Sequence, residues 1–184
     1  KQKFVKEALV LGTLDHPNIV RVHDSFTENN SAYYVMEYID GKSLSDIIKE
    51  RGSLKEEDAL TYINEIASAL AYIHKRNMLH LDIKPSNIMF DATGNPILVD
   101  FGAALNRATK TDTTTQGEFS PVYASPEQVS GKGKIGPWTD LYSLAATWYE
   151  LLTGMDNIDR EAVEAAAERW NVCPFELSLD LTGF

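Results

Sequence analysis

A hairpin predicted over residues 87–100 brings an amide and a carboxylate together. Two apolar runs, 87–90 and 97–100, flank a polar turn. With the turn centred between positions 93 and 94, Asn87 stands opposite Asp100, and opposed residues lie ~4.5 to 5.5 Å apart at Cα. An amide oxygen and a carboxylate would then converge on a hard cation, most often Mg²⁺ when phosphates supply the remaining ligands. The alternative interpretation is an ordinary Asx cap at each strand end.

The segment 80–87 adds charged groups just upstream of this hairpin. Asp82 and Lys84 supply a carboxylate and an ammonium within a few residues of the Asn87 amide. His80 opens the segment. The chemistry-bearing residues are therefore concentrated in one loop and the hairpin that follows it.

The elements before this loop are predicted to be a helix and a first hairpin. Apolar residues at helical spacing predict a helix over 3–15, which ends where Pro17 disfavours helical dihedrals. Glu7 falls on its apolar face, so it either requires a cationic partner or lies at the edge of the stripe with its carboxylate in water. Residues 19–26 and 32–39, rich in Val, Ile, Tyr and Phe, predict the two strands of the hairpin.

Capping-box spacing predicts two further helix starts, at Ser43 with Asp46 and at Ser53 with Glu56. The second helix is long and is expected to pack centrally, with one face formed by Leu60, Ile63, Ala67, Leu70 and either Ile73 or His74. Residues 103–137 show no strong periodicity and are predicted to form a long loop. A buried helix is predicted from Leu141 to Leu152 and stops at Gly154. Residues 158–170 have a helical pattern, and 171–184 give no clear signal.

The composition is that of one globular domain. The 184 residues are 43% hydrophobic and 24% charged, and 17 Lys and Arg against 27 Asp and Glu give a formal net charge of −10. That charge disfavours nucleic acid and anionic lipid as partners. A single cysteine, Cys173, favours a reducing, cytoplasmic setting, and no apolar run is long enough to span a membrane.

Several motifs, in order, resemble those of eukaryotic-type (Hanks-type) serine/threonine protein kinases. The segment 80–87 resembles the catalytic loop, and residues 100–102, Asp-Phe-Gly, resemble the metal-binding triplet. Tyr-Ala-Ser-Pro-Glu at 123–127 resembles the Ala-Pro-Glu segment, and Asp140 matches the family's anchor in the buried helix. His-Pro-Asn-Ile-Val at 16–20 and Val-Met-Glu-Tyr-Ile at 35–39 match the turn after the C helix and the hinge.

The resemblance covers residues 3 to about 154 and implies an α+β, protein-kinase-like fold, truncated at both ends. Residues 1–39 would form a partial N-lobe, with the C helix, two strands and the start of the hinge. Residues 40–154 would form the mostly helical C-lobe, with the catalytic loop and the activation segment. Residues 155–184 are unassigned.

The resemblance also implies roles in ATP-dependent phosphoryl transfer to a protein hydroxyl. Asp82 would orient the substrate hydroxyl and accept its proton, and Lys84 would offset the charge of the transferring group. Asn87 and Asp100 would hold Mg²⁺ against the ATP phosphates. The positions implied to bind ATP are Glu7, through a strand lysine, the Glu37 and Ile39 backbone at adenine, Met89 as the apolar floor and Met36 controlling pocket depth. The residues implied to stack as an internal spine are Leu11, Val22, His80 and Phe101. That place would make His80 a buried core histidine rather than an acid or base.

Smaller features bear on substrate and control. Lys84 and Ser120, which stands where the family usually carries Thr, resemble the serine/threonine branch. Leu81 replaces the Arg that receives the activation-loop phosphate in many kinases, although the loop 109–115 is rich in threonine and is either a phosphorylation site or a flexible solvated loop. Candidate partners for Glu127 are Arg160 and Arg169.

Two other functions remain open at this stage. One is a kinase-like pseudoenzyme that acts as a protein interaction module through apolar surface left by the truncated lobe. The other is a small-molecule phosphotransferase of kinase-like fold. The Ser-Pro-Glu segment at 125–127 argues against the second, since that element shapes a groove for a polypeptide.

Overall fold

The computed structural model describes residues 11–29, 31–101, 120–131 and 133–155. The predicted helix over 3–15 lies mostly outside them, although Leu11 is helical. Glu7, the threonine-rich loop, the predicted helix at 158–170 and both candidate arginines, Arg160 and Arg169, also lie outside the described residues.

The first predicted hairpin is confirmed. Strands β1 (Val22–Glu28) and β2 (Ser31–Met36) pair antiparallel, with an irregular register between Val22 and Asp24. The prediction began the first strand at Ile19, but the chain at Ile19 pairs instead with Leu98 in a parallel bridge. The N–H of Val20 accordingly donates to Leu98 O at 3.0 Å. This pairing ties the first hairpin to the second.

The turn at 16–18 fastens the same region to the long helix of the fold. The Asn18 N–H donates to His16 Nδ1 at 3.1 Å, and Asn18 Nδ2 donates to Glu65 Oε2 and to Pro96 O at 3.1 and 2.9 Å. One asparagine side chain therefore links this turn to a helix and to a strand, as buried amide groups require.

Helix α1 (Leu44–Arg51) begins where its capping signal predicts. The Asp46 N–H donates to Ser43 Oγ and the Ser43 N–H donates to Asp46 Oδ2, both at 3.1 Å. Ser43 Oγ also donates to Asp46 Oδ2 at 2.7 Å, and this bond, together with the one from the Ser43 N–H, lowers the pKa of Asp46. Just before this helix, a Cβ on Gly41 would lie 1.9 Å from Phe90 O, so only glycine permits that crossing.

Helix α2 (Glu56–His74) begins later than its predicted cap. Lys55, not Ser53, is the N-cap residue, and it makes no side-chain capping bond. The reason is tertiary, because the Leu54 N–H donates to Leu151 O at 2.7 Å and docks the chain against another helix. The prediction of a capping box at Ser53 and Glu56 is therefore wrong.

The buried face of α2 is also displaced from its predicted position. Leu60, placed on the core face by the spacing argument, is 43% exposed, whereas Leu70 is fully buried. The helix packs against both a strand and a second long helix, so its buried surface is broad and centred elsewhere. Its buried residues are Ala59, Ile63, Ile66, Ala69, Leu70 and Ile73.

The second hairpin forms, but in a different register. A short 3₁₀ turn (Pro85–Asn87) leads into β3 (Ile88–Phe90), which pairs antiparallel with β4 (Pro96–Leu98). Ile88 lies opposite Leu98, and the Val99 N–H donates to Asn87 O at 2.9 Å. Asn87 therefore faces Val99, and the prediction that it stands opposite Asp100 is wrong by one residue.

The turn itself explains the shift. The Asp91 N–H donates to Asn95 O at 3.1 Å, so the loop closes from 91 to 95 and is centred on Thr93. Asp91 Oδ1 accepts from the Thr93 and Asn95 N–H groups, both at 2.9 Å, and from Thr93 Oγ1 at 2.7 Å. With Thr93 Oγ1 and the Asn95 N–H as the main donors, these bonds lower the pKa of Asp91 to about 2.

Two helices complete the described chain. The short α3 (Pro126–Ser130) lies within a stretch that was predicted to be irregular. The predicted buried helix is confirmed as α4 (Pro137–Thr153), which begins four residues earlier than Leu141 and ends at Gly154, whose φ is 70°.

One hydrophobic cluster draws on the turn region, both hairpins and three helices, α1, α2 and α4. Its largest fully buried side chains come mainly from α2 and the second hairpin, and include Ile66, Leu70, Ile73, Ile88 and Leu98. The α+β fold therefore holds the second hairpin on a helical base. No helix in the part of the chain that the structure describes has the length and apolar character needed to traverse a bilayer.

Candidate active site

Asp140, at the start of α4, anchors the loop that carries the predicted catalytic residues. Its carboxylate is fully buried, with Oδ1 accepting from the Leu81 N–H at 2.7 Å and Oδ2 from the His80 N–H at 2.9 Å. The His74 Nε2 atom at the end of α2 lies 2.8 Å from Oδ2. A buried carboxylate needs several such partners. These bonds are the means by which Asp140 can anchor the loop.

Leu81 has a left-handed backbone, with φ of 70°. A residue with a Cβ in this region costs about 1–2 kcal/mol and persists only where its surroundings hold it. Asp140 supplies one such restraint through the Leu81 N–H. The strain falls on the residue immediately before Asp82, so it determines the direction in which the chain presents that carboxylate.

His80 is a buried structural residue. Its Nε2 lies 3.1 Å from Val99 O and must donate there, so Nδ1 is the acceptor for the Asp82 N–H at 3.3 Å. Burial lowers the pKa of His80, which keeps the ring neutral. Its ring centroid is 4.7 Å from that of Phe101, and the other two implied spine residues, Leu11 and Val22, are buried in the main core.

Asp82, Lys84 and Ser120 form a compact polar cluster. Lys84 Nζ lies 2.7 Å from Asp82 Oδ2 and donates to Ser120 Oγ at 2.9 Å. The Ser120 N–H donates to Asp82 Oδ1 at 3.3 Å. The Asp82 and Lys84 side chains are 13% and 22% exposed, so both are held by the protein and remain within reach of a ligand.

Asn87 is turned toward the same carboxylate. Its Nδ2 donates to Asp82 O at 2.8 Å and to Asp82 Oδ2 at 3.0 Å. The amide nitrogen is therefore committed to Asp82, and the amide oxygen, Oδ1, is the atom that can serve as a ligand.

Asp100 lies just beyond β4, exposed, with φ of 61°. The charges of Asp82 and Asp100 both act on the His80 ring. Burial, with a smaller effect from the charge of Asp100, raises the pKa of Tyr34. Asn87 and Asp100 offer amide and carboxylate oxygen atoms, the ligands that Mg²⁺ prefers, so their chemistry fits that ion, although the observed register does not set them opposite each other. Among the described residues, no group of three or more His, Cys, Asp and Glu side chains is placed to share a metal.

The residues expected at adenine follow β2. Met36 ends that strand and is 42% exposed. The Glu37 N–H donates to Arg21 O at 2.8 Å, so Glu37 can offer an adenine only its carbonyl. The Ile39 carbonyl accepts from the Gly41 N–H at 3.1 Å, so the Ile39 N–H is the backbone group that this residue can offer to a ligand. Met89 is half-buried on β3, beside the main core.

Glu37 and Ile39 also take part in a second feature. They line a cavity of about 230 Å³ together with residues of the 14–21 region, Asp91 and Ile97.

Two residues in the site were missed by sequence reasoning. Gln128 Nε2 donates to Leu81 O at 2.9 Å, and His74 contacts Asp140 as described above. Gln128 lies in α3, which has too few turns for a periodic signal. His74 ends a helix whose apolar pattern predicts burial but does not predict a polar partner. Glu127, for which arginines are the predicted partners, accepts from Thr139 Oγ1 at 2.7 Å.

The loop anchored on a helix, the hairpin and the polar cluster together define a protein-kinase-like site. A family model for the protein kinase domain matches residues 1–173, and the chain belongs to that family. The family and the α+β kinase-like fold predicted from the motifs are thereby confirmed.

Individual relatives carry kinase names. The chain is 37% identical over 182 residues to serine/threonine-protein kinase PrkC of Bacillus subtilis, covering 92% of this chain and 28% of the relative. It is 41% identical over 156 residues to a probable serine/threonine-protein kinase of Clostridium perfringens, covering 84% and 22%. It is 40% identical over 150 residues to NUAK family SNF1-like kinase 2 of Rattus norvegicus, covering 81% and 24%. The chain thus spans roughly a quarter of the length of these relatives.

Proposed function

We propose that this chain carries the catalytic loop of a serine/threonine protein kinase, which transfers the γ-phosphoryl group of ATP to a protein hydroxyl. The observation that carries the proposal is the Asp82 carboxylate, positioned by Lys84, Asn87 and Ser120 yet partly accessible. The 1–39 and 40–154 parts would serve as partial N-lobe and C-lobe, and 155–184 receives no role. We place the activity in the cytoplasm, where ATP is supplied.

In the proposed reaction, the substrate hydroxyl donates a hydrogen bond to the Asp82 carboxylate, which aims its oxygen at the γ-phosphorus. The new O–P bond forms as the bond to the β–γ bridging oxygen breaks, ADP departs, and Asp82 takes the hydroxyl proton. Lys84, 2.7 Å from Asp82, is near enough to offset charge on the transferring group. Positioning and charge neutralisation are the main requirements of this chemistry.

The nucleotide would lie against residues of both parts of the chain. The Glu37 carbonyl and the Ile39 N–H would meet the adenine edge, with Met36 and Met89 as apolar neighbours. Asn87 Oδ1 and the Asp100 carboxylate would hold Mg²⁺, and the bound ion would neutralise phosphate charge. Glu7 would contribute through a lysine partner.

Ser120 supports an aliphatic hydroxyl, rather than a tyrosine phenol, as the acceptor of the phosphoryl group. It bonds to both Asp82 and Lys84, and it stands where the serine/threonine branch of the family usually carries Thr. We therefore propose a protein substrate with a serine or threonine acceptor. Nucleic acid is disfavoured by the net charge of −10.

Replacing Asp82 by Asn tests the proposal in the full-length protein. The amide keeps the shape of the side chain but cannot accept the hydroxyl proton, so transfer to a generic protein substrate should fall about 10²–10⁴-fold. The affinity for ATP, measured by calorimetry, should change little. The matched control is Asp58→Asn, an exposed aspartate on α2, which should leave transfer unchanged.

Unchanged transfer in Asp82→Asn would remove Asp82 from the mechanism. Nucleotide binding with no transfer in the unsubstituted protein would instead favour the alternative, a kinase-like pseudoenzyme that serves as an interaction module. The two readouts therefore separate catalysis from binding.

A further inference from the structure

We propose that Gln128 is a positioning residue for the catalytic loop: its side-chain amide holds the Leu81–Asp82 peptide so that Asp82 is presented correctly. The inference deepens the proposed kinase function and depends on it. Gln128 lies in α3, outside the loop it would control.

The orientation of the Gln128 amide is determined at both ends. The side chain is buried, with 4% exposed, and Nε2 donates to Leu81 O at 2.9 Å. Oε1 accepts from the Ser125 N–H at 3.1 Å and from Ser125 Oγ at 3.3 Å. Rotating the amide by half a turn would set Nε2 against the Ser125 N–H and Oε1 against the Leu81 carbonyl. Only the observed orientation satisfies every group.

The bond to Leu81 acts on the peptide that directly precedes the Asp82 side chain. Gln128 holds the carbonyl of the Leu81–Asp82 peptide, while His80 Nδ1 accepts from its N–H at 3.3 Å. Asp140 holds the peptide before it, through the Leu81 N–H at 2.7 Å. The left-handed φ of 70° at Leu81 is therefore restrained from both sides.

The same segment contacts the loop a second time. Ser120, a few residues before α3, bonds to Asp82 Oδ1 and to Lys84 Nζ. Ser120 thus contacts the side chains, and Gln128 the backbone. The bond from Gln128 Nε2 is made to the backbone carbonyl of Leu81. It therefore does not depend on a charged side chain at that position.

Two substitutions at position 128, in the full-length protein, test the proposal. Gln128→Met keeps the approximate volume but removes all three side-chain hydrogen bonds, and kcat should fall about 10–100-fold because Asp82 is misplaced. The KM for ATP should stay within about twofold, since the residues proposed at adenine are elsewhere. Gln128→Glu keeps the acceptor for Ser125 but sets a carboxylate oxygen against Leu81 O.

The second variant gives a pH signature that a purely structural role would not produce. Burial and the facing carbonyl should raise the pKa of the introduced carboxyl above its usual range, so its protonated form, able to donate to Leu81 O, dominates at low pH. The kcat of Gln128→Glu relative to the unsubstituted protein should therefore rise as pH falls from 8 toward 5.5. A flat ratio across this range would overturn the proposal.

Hydrogen exchange provides a readout that does not depend on activity. The amide of Asp82 should exchange about tenfold faster or more in Gln128→Met, because the peptide loses one of its two restraints. Val129→Ala is the matched control on α3, since Val129 is 46% exposed and should alter neither exchange nor kcat.

The outcomes distinguish the two proposals. Unchanged kcat and exchange in Gln128→Met, with transfer still lost in Asp82→Asn, would overturn the role of Gln128 and leave the kinase function standing. Faster exchange in a protein that never transfers phosphate would support the link but overturn its catalytic purpose together with the proposed function.

Discussion

The candidate site combines largely buried aspartates, held in place by hydrogen bonds, with one aspartate that is exposed to solvent. Asp140 is fully buried and orients two successive amides, and the Asp82 side chain is only 13% exposed. Asp100 is exposed, so a ligand can reach this residue from solvent. This difference matches the proposed roles, because a residue that positions a hydroxyl needs a fixed geometry and a metal ligand needs access.

Asp100→Ala tests the proposed metal ligand at this scale. If Asp100 and Asn87 hold Mg²⁺ against the phosphates, ADP should bind more tightly with Mg²⁺ than with a chelator. Removing the carboxylate should cut that enhancement about tenfold or more. Titration calorimetry in MgCl₂ and in EDTA measures it, with the exposed Asp24→Ala on β1 as the control. Equal ADP affinity with and without the metal in the unsubstituted protein would contradict the assignment.

At the scale of elements, local signals located both hairpins and the helices α1, α2 and α4, but they missed the short α3 and did not determine all the ends. The Ser43 cap is satisfied by bonds within one helical turn, so the sequence alone predicts it. The start of α2 depends on the Leu54 N–H reaching Leu151 O, nearly a hundred residues away, and no local pattern carries that information. Likewise, Asp91 side-chain bonds close the second hairpin and determine its register, which strand composition could not reveal.

The Asp91 turn has a pH dependence that can be measured. The folded pKa of Asp91 is lowered to about 2 from an ordinary value of 3.8, so its bonds stabilise the fold above that ordinary value. The stabilisation is lost as pH falls from about 4 toward 2. Because the turn is exposed, Asp91→Asn should cost no more than about 1 kcal/mol at pH 7.

Urea unfolding at pH 7, 5, 4 and 3 would follow the difference between Asp91→Asn and the unsubstituted protein. The difference should be constant from pH 7 to 5 and shrink below 4, while Asp58→Asn should show no such convergence. A difference that persists undiminished at pH 3 would mean that the carboxylate charge does not stabilise the turn.

At the scale of the whole molecule, α2 is the base on which the site is built. The helix contacts both α4, which carries Asp140, and β4, which leads to Asp100. The family motifs predicted this general arrangement, and apolar spacing predicted that α2 is central. The spacing did not predict which side of the helix is deepest, because Leu60 and Leu70 have the same chemistry and only packing by neighbouring elements separates them.

Truncating these two leucines tests that arrangement with one chemical change at two depths. Leu70 is fully buried, so Leu70→Ala should lower the free energy of unfolding by about 2–5 kcal/mol through lost burial and a residual cavity. For a chain of this size that corresponds to a fall in Tm of about 5–15 °C. Leu60 is 43% exposed, and Leu60→Ala should cost less than about 1 kcal/mol. Circular dichroism melting curves of both variants give the comparison. Equal losses would contradict the placement of Leu70, rather than Leu60, in the deepest part of the buried face.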